Sequence, residues 1–351
     1  MELNNIIFSI LLLFVGFFIN KYFLSLLIKT KSSLLIDNQF TKPQAFHEHS
    51  TYRLGGTTFF LLLIIVFLYL FFEKNIFYFE FVSFCTLFFL LGLADDLKIN
   101  LTPKLRLIIM IIFLLTLIIL NEFYLERITL GYLDRLMKID IFALFFVCLC
   151  FLFIINGSNL IDGFNGLLGI HALIIFVILF IINLLNERDI FYVLFYISLI
   201  TLVFIAFNFP KAKIFLGDSG AYLIGSLIAI SSIKTNNLNP SISSFFFCII
   251  LFYLFFEVFF SFFRKIFVVR TSPLFPDKKH LHMLFYKFLL KTNKNKLSTN
   301  YKVSIYINLA YLCLITPGIL FMHNADFCRF YFFFLLIVYI LIYRLLHKKL
   351  R

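Results

Sequence analysis

Eleven apolar runs, each long enough to cross a bilayer as a helix, dominate this chain and fix its solvent before any motif is considered. They lie at about 6–28, 54–72, 76–94, 105–121, 139–155, 166–183, 190–208, 214–233, 243–263, 303–321 and 327–346. A soluble domain carries about a quarter charged residues, whereas here 14% of 351 residues are charged and 62% are apolar. The expected fold is therefore an all-α polytopic membrane protein of 11 transmembrane helices, with residues 1–351 as a single integral-membrane domain and a basic loop at about 264–302. A polar, glycine-bearing stretch separates the fifth and sixth runs, so ten is the alternative count. No Lys or Arg precedes Lys21, so the first run lacks the positive start of a cleaved signal peptide and is expected to stay as an anchor.

Eleven spans place the connecting segments alternately on two sides. Sorted that way, 23 of the 31 Lys and Arg fall on one side and 7 on the other, with Lys21 inside the first span. The positive-inside rule then puts the N-terminus outside and the C-terminus in the cytoplasm. The net charge of +13 thereby reflects topology and not a nucleic-acid partner, with the 264–302 loop adding attraction for anionic headgroups or a phosphorylated substrate. Within that loop, KTNKNKLSTNYK at 291–302 reads as a plain solvated stretch. The six cysteines form no CxxC and read as small hydrophobes.

The acidic residues of the cytoplasmic side carry the functional signal, because carboxylates set in apolar or glycine-rich surroundings are costly. Asp95 and Asp96 close the third run in LLGLADDLKINLTPKLRL. Adjacent carboxylates repel, which suits a bound cation, a base, or both, and Lys98, Lys104 and Arg106 follow as phosphate partners. NGSNLIDGFNGL sets Asn156, Asn159, Asp162 and Asn165 three residues apart among glycines that admit close backbone approach. FLGDSG places Asp218 in a tight glycine turn opening a helix, which suits either a helix cap or a metal bound to phosphate. His280 and His282 lie in the basic loop and read as phosphate or nucleotide contacts rather than metal ligands. KPQAFHEHSTYRLGG adds His47, His49 and Arg53 to the first inner loop, and Glu257, inside a run, is expected to face the protein interior and orient the basic loop.

In this order, RLGG, LADDLKINLTPKLRL, NLIDGFNGL, FLGDSGAYLIG and HLH, the chain resembles the polyprenyl-phosphate N-acetylhexosamine-1-phosphate transferases of glycosyltransferase family 4, which include the MraY and WecA types. The resemblance implies an active site at the cytoplasmic membrane face, where a polyprenyl phosphate attacks the sugar-linked phosphorus of a UDP-sugar and UMP leaves. It further implies Asp95 and Asp96 as catalytic residues and Mg²⁺, or Mn²⁺, held by Asp218 with Asn159. Asn159, Asp162, Asn165, His280, His282, Arg53 and Lys104 become substrate-binding residues. Tyr52 departs from the proline that many members carry before the arginine. Asn165 stands where the peptidoglycan-precursor branch has Asp, and HLH replaces that branch's longer histidine run. These departures favour a WecA-like enzyme using UDP-N-acetylhexosamine and undecaprenyl phosphate in the bacterial inner membrane, starting a lipid-linked cell-envelope glycan such as O-antigen. The alternatives are a phospho-N-acetylmuramoyl-pentapeptide transferase and, in another class, a transporter or lipid flippase. A homodimer is left open by the apolar helix faces.

Overall fold

A computed structural model describes residues 3–30, 35–37, 50–99, 101–273, 277–292 and 295–350. Its helices are α1 (Leu3–Lys29), α2 (Gly55–Lys74), α3 (Phe79–Asp96), α4 (Pro103–Leu120), α5 (Gly131–Leu136), α6 (Asp140–Ile161), α7 (Leu167–Leu185), α8 (Ile190–Asn208), α9 (Gly217–Leu238), α10 (Ser244–Ile250), α11 (Phe252–Phe263), α12 (Leu281–Leu290), α13 (Lys296–Leu320) and α14 (Ala325–Leu350). A π turn, Arg264–Val269, prolongs α11. The sheet content described is one antiparallel pair, β1 (Ile36–Asp37) with β2 (Thr51–Tyr52).

Each of the eleven apolar runs is helical. By length and composition eight helices can cross a membrane, and α10 with α11 and its π turn, bent by 74°, makes a ninth. The other two runs are α3 and α9, whose apolar character is diluted by the polar residues discussed below. The chain is accordingly a multi-pass, all-helical membrane protein.

Packing divides the helices by what surrounds them. In α9 nearly every residue from Gly217 to Asn236 is buried, against α2, α3, α6 and α7. By contrast α1 and α14 leave most of their apolar side chains outside, including Phe14, Phe18, Phe330 and Leu345, as lipid-facing helices do. Between apolar helices in lipid, close approach through small residues supplies much of the attraction. Gly92 of α3 illustrates it: a Cβ there would lie 2.4 Å from the Asp218 carbonyl oxygen. The far end of α9 is fixed as firmly, because Arg127 donates to the carbonyls of Asn236 (3.1 Å), Asn239 (2.7 Å) and Ile242 (2.8 Å). Lys234 pairs there with Glu80 of α3.

Three local features go beyond the apolar runs. Helix α6 runs on through Asn156 to Ile161, so the polar stretch begins as a helix end. The segment 291–302 is not a plain loop: Asn295 caps α13, accepting from the Ser298 N–H at 2.9 Å, and Thr299 and Asn300 are buried. The low-complexity composition masked a capped start. Between α4 and α6 the segment 122–138 contains α5, whose flanking Ile128 and Met137 form a small apolar cluster with Ala143.

Gly92→Ala should lower stability by roughly 1–3 kcal/mol, as overpacking a close-packed contact does. A thermal midpoint in detergent equal to that of the parent would contradict the close α3–α9 contact.

Candidate active site

The polar residues singled out in the sequence gather at one end of the bundle, where the C-termini of α3 and α6 meet the N-terminus of α9. The local chain conformation explains the meeting. Gly217 has φ +77°, and a Cβ there would lie 2.5 Å from Asp96 Oδ2, so only glycine admits Asp96 at that turn. Asp96 then caps α9 from outside: Oδ1 accepts from the Asp218 N–H (3.0 Å) and Oδ2 from the Ser219 N–H (2.9 Å). Arg53 adds a third bond, Nη1 to Asp96 Oδ1 at 3.2 Å. The Asp96 side chain is wholly buried.

Arg53 is carried to this point by two short backbone alignments. Ile214 bridges Tyr52, the Phe215 N–H donates to the Tyr52 carbonyl (2.8 Å), and the N–H groups of Gly55 and Gly56 donate to the carbonyls of Phe215 (2.9 Å) and Leu216 (2.8 Å). The RLGG and FLGD motifs thus zip together. Arg53 also donates to Asp37 from Nη2 at 2.8 Å and lies 4.0 Å from Asp218 Oδ2. Burial alone would weaken its hold on the proton, but the fields of Asp218, Asp37 and Asp96 outweigh burial and raise its pKa. It is a permanent cation among three carboxylates.

The aspartates are therefore not equivalent. Asp95 gives one oxygen to Arg106 (2.5 Å) and is slightly exposed. Asp218 accepts no hydrogen bond among the described residues, and its side chain is 29% exposed. Asp162, the C-cap of α6, likewise accepts none. Burial, and then the field of Asp218, hold the Asp162 carboxyl well above the usual carboxylate range. Two carboxylates thus accept no hydrogen bond from the described residues, Asp218 facing only the Arg53 cation at 4.0 Å, and a third, Asp95, has one.

Asn159 donates from Nδ2 to the Tyr222 hydroxyl at 3.2 Å. Tyr222 lies one helical turn beyond Asp218 on α9, and among the described residues nothing donates to the Asn159 amide oxygen. One carboxylate and one amide oxygen are hard donors that fit Mg²⁺, which is commonly held by one or two carboxylates and completed by substrate phosphates. Among the described residues no three His, Cys, Asp or Glu side chains form a closed metal cage.

Asn165 is placed differently from a ligand-binding group. It is buried, its Nδ2 donates to the Pro210 carbonyl (2.9 Å), and its own N–H is held by Asn300 Oδ1 (2.8 Å). Gly166, with φ +79°, donates its N–H to Asn208 Oδ1 at 2.6 Å. These contacts brace the turn that presents Asp162. Lys104 stays exposed on the first turn of α4, and Arg106, two residues on, is the cation that enters the cluster. His47 and His49 lie outside the described residues.

The histidine motif is organised by Glu257 of α11, which is 1% exposed. His280 Nδ1 donates to its Oε2 at 3.2 Å, the Leu281 N–H donates to its Oε1 at 3.0 Å, and His282 Nδ1 lies 3.6 Å from Oε1. The two imidazoles are nearly parallel with centroids 5.6 Å apart. The Phe164 ring meets His282 edge-on at 5.8 Å, which joins the motif to the Asp162 turn. Burial holds the His282 imidazole below its ordinary pKa despite Glu257. Asp277 receives Arg264 Nη2 at 2.5 Å and lies 3.6 Å from His280 Nε2. Sequence reasoning passed over Asp37, Tyr222, Asn208 and Asn300. The four-residue spacing of Asn300, Ser304 and Asn308 marks Asn300 only weakly, and nothing in sequence order pairs these residues with their partners.

The model of glycosyl transferase family 4 matches residues 78–236. That span holds Asp95, Asp96, Asn159, Asp162, Asn165 and Asp218. The chain is 29% identical over 240 residues to an undecaprenyl-phosphate alpha-N-acetylglucosaminyl 1-phosphate transferase of Thermotoga maritima, covering 68% of this chain and 69% of that protein. It is 32% identical over 164 residues to a phospho-N-acetylmuramoyl-pentapeptide-transferase of Wolbachia sp. subsp. Brugia malayi, 43% and 50% of the two chains. To the protein of that name from Dictyoglomus thermophilum it is 30% identical over 195 residues, 54% and 60% of the two chains. The chain therefore spans half to three fifths of the length of these two pentapeptide transferases.

Asp162→Asn should stabilise the metal-free protein. A carboxyl whose folded pKa is raised costs nothing below its unfolded value near 3.8, and the cost of ionising it grows as the pH rises from there towards the folded value. The variant's thermal midpoint, measured with chelator, should match the parent below that value and exceed it increasingly at higher pH. A midpoint below the parent's at pH 7 would show that the Asp162 carboxylate is satisfied.

Proposed function

We propose that the chain is a member of glycosyl transferase family 4, whose model matches residues 78–236, and that it transfers N-acetylglucosamine-1-phosphate from its UDP-sugar to undecaprenyl phosphate. UMP is the second product, and the lipid-linked sugar starts a cell-envelope glycan. The reaction takes place at the cytoplasmic face of a bacterial inner membrane, with the N-terminus outside and the C-terminus inside as the basic residues distribute. The observation that carries this reading is the Asp218 carboxylate, accepting no hydrogen bond beside Arg53 at a helix N-terminus that Asp96 holds in place. Such a site suits a cation and a diphosphate.

In the transfer, an oxygen of the polyprenyl phosphate forms a bond to the sugar-linked phosphorus, and the bond from that phosphorus to the UMP oxygen breaks. Asp218 and the Asn159 amide oxygen would hold Mg²⁺, which supplies Lewis-acid withdrawal of charge from the diphosphate. Arg53 neutralises charge at the same point. Within the aspartate pair the roles divide by contacts. Asp96 spends both oxygens on α9 and Arg53 and acts as a positioning residue. Asp95 keeps an oxygen free of Arg106 and is the group to orient the acceptor phosphate or take its proton. His280, fixed by Glu257 and Asp277 and stacked on His282, whose ring meets Phe164 next to the Asp162 turn, suits the nucleotide or its phosphates.

Several relatives bear the name phospho-N-acetylmuramoyl-pentapeptide-transferase, which makes that reaction the second reading. The Asn165 amide favours the first: it donates to the Pro210 carbonyl, which the carboxylate that resemblance associates with the peptidoglycan branch cannot do. A transporter would place its ionisable groups near the bilayer midplane, whereas these gather at helix ends.

The test is radiolabel transfer by purified protein given undecaprenyl phosphate, Mg²⁺ and a panel of UDP-sugars including the UDP-muramyl pentapeptide. Label should pass to the lipid phase from UDP-N-acetylglucosamine and stop on chelation. Transfer from the muramyl pentapeptide alone would establish the second reading. Asp218→Asn should lose at least about 10²-fold in rate, the scale of a lost electrostatic stabiliser, with protein level unchanged. Near-parental turnover would remove Asp218 from the site.

A further inference from the structure

A groove of about 780 Å³ opens between the π turn that follows α11 and the last turns of α14. One wall is apolar: the Phe263 and Phe267 rings stack 5.8 Å apart, and Phe267 and Val268 are 70% and 77% exposed. The inner end is polar. Arg264 is 8% exposed, with Nη2 taken by Asp277 (2.5 Å) and Ser261 (3.3 Å), yet its buried Nε has no hydrogen-bond partner among the described residues. The buried hydroxyl of Tyr343, which lines the same groove, has none either. Buried donors are nearly always satisfied, so two of them in one groove call for an acceptor. Arg344 and Lys348 stand exposed among the lining residues. The carboxylate beside them, Asp277, is already bound to Arg264.

We propose that this groove binds one anionic glycerophospholipid of the phosphatidylglycerol class. Its phosphate accepts from Arg264 Nε and the Tyr343 hydroxyl, Arg344 and Lys348 balance its charge, and an acyl chain lies along Phe263 and Phe267. A small soluble anion would satisfy the donors but leave the apolar wall bare, and an uncharged lipid would do the reverse. The polyprenyl phosphate acceptor is not the occupant. No residue of α3, α6 or α9 lines the groove, so a phosphate held there is away from Asp95, Asp162 and Asp218. The inference does not rest on the reaction proposed above.

Native mass spectrometry of the full chain in detergent, titrated separately with phosphatidylglycerol and with phosphatidylcholine of the same acyl chains, tests it. One phosphatidylglycerol adduct should form well before any phosphatidylcholine adduct. The double variant Arg344→Gln/Lys348→Gln should lose about thirtyfold of that preference, the contribution of two cations at an anionic headgroup. Tyr343→Phe should weaken the adduct with circular dichroism unchanged, and Lys211→Gln, on another exposed segment, should leave it intact. Equal binding of the two lipids, or a preference that survives the double variant, would overturn the proposal. Displacement of the adduct one for one by undecaprenyl phosphate would overturn it too, by assigning the groove to the acceptor.

Discussion

The Asp96 carboxylate, shared between the first two free N–H groups of α9 and the Arg53 guanidinium, is the contact on which the polar end of this protein depends. It ties α3 to the RLGG segment and the start of α9, which backbone hydrogen bonds already join to each other. An N-cap contributes about 0.5–2 kcal/mol, and one supplied from another helix also fixes the mutual orientation of the two helices. Gly92 and Gly217 let the backbones come close enough for the bond to form. Arg127 performs the complementary task at the other end of α9, gathering carbonyl oxygens with a cation. The central helix is thus held at both ends by charges suited to its dipole.

That arrangement leaves an uneven distribution of satisfied groups. Asp96 has three hydrogen-bonding partners and Asp95 has Arg106, while Asp218 and Asp162 accept no hydrogen bond from the described residues. Two unsatisfied carboxylates near one another are a cost that folding alone does not recover, and they persist because the surrounding braces over-determine the turn that carries them. Asn165, Asn208 and Asn300 are those braces for Asp162. The Glu257 clamp does the same for the histidines. The site is consequently two layers deep: groups directed to a ligand, and buried amides and acids that hold them.

Much of the directed layer was legible in the sequence, because a carboxylate among glycines at the end of an apolar run has few structural explanations. Asp95, Asn159, Asp162 and Asp218 come together as their helix-end positions imply, around Asp96, a brace the sequence also marked. Most of the bracing layer was not legible. Asn300 sits in a Lys- and Asn-rich stretch whose composition imitates a solvated loop, and Asn165 has the spacing of its neighbours but is turned inward by Pro210. Nor could sequence separate Asp95 from Asp96, since adjacent residues differ by about 100° of helical rotation and only the position of α9 decides which one faces it. Lys104 and Arg106 differ for the same reason. Each of the eleven apolar runs is helical, eight helices and one bent pair being long and apolar enough to cross a membrane, but the 74° bend within that pair was not marked in the sequence.

The division of labour between Asp95 and Asp218 can be read directly by electron paramagnetic resonance of Mn²⁺ bound to the purified protein in the presence of UDP-N-acetylglucosamine. One ordered Mn²⁺ should appear in the parent and persist when Asp95 is changed to Asn, and it should vanish when Asp218 is changed to Asn. An ordered ion retained at full occupancy without the Asp218 carboxylate would contradict the assignment of that residue, and with it the reading of this helix end as a diphosphate site.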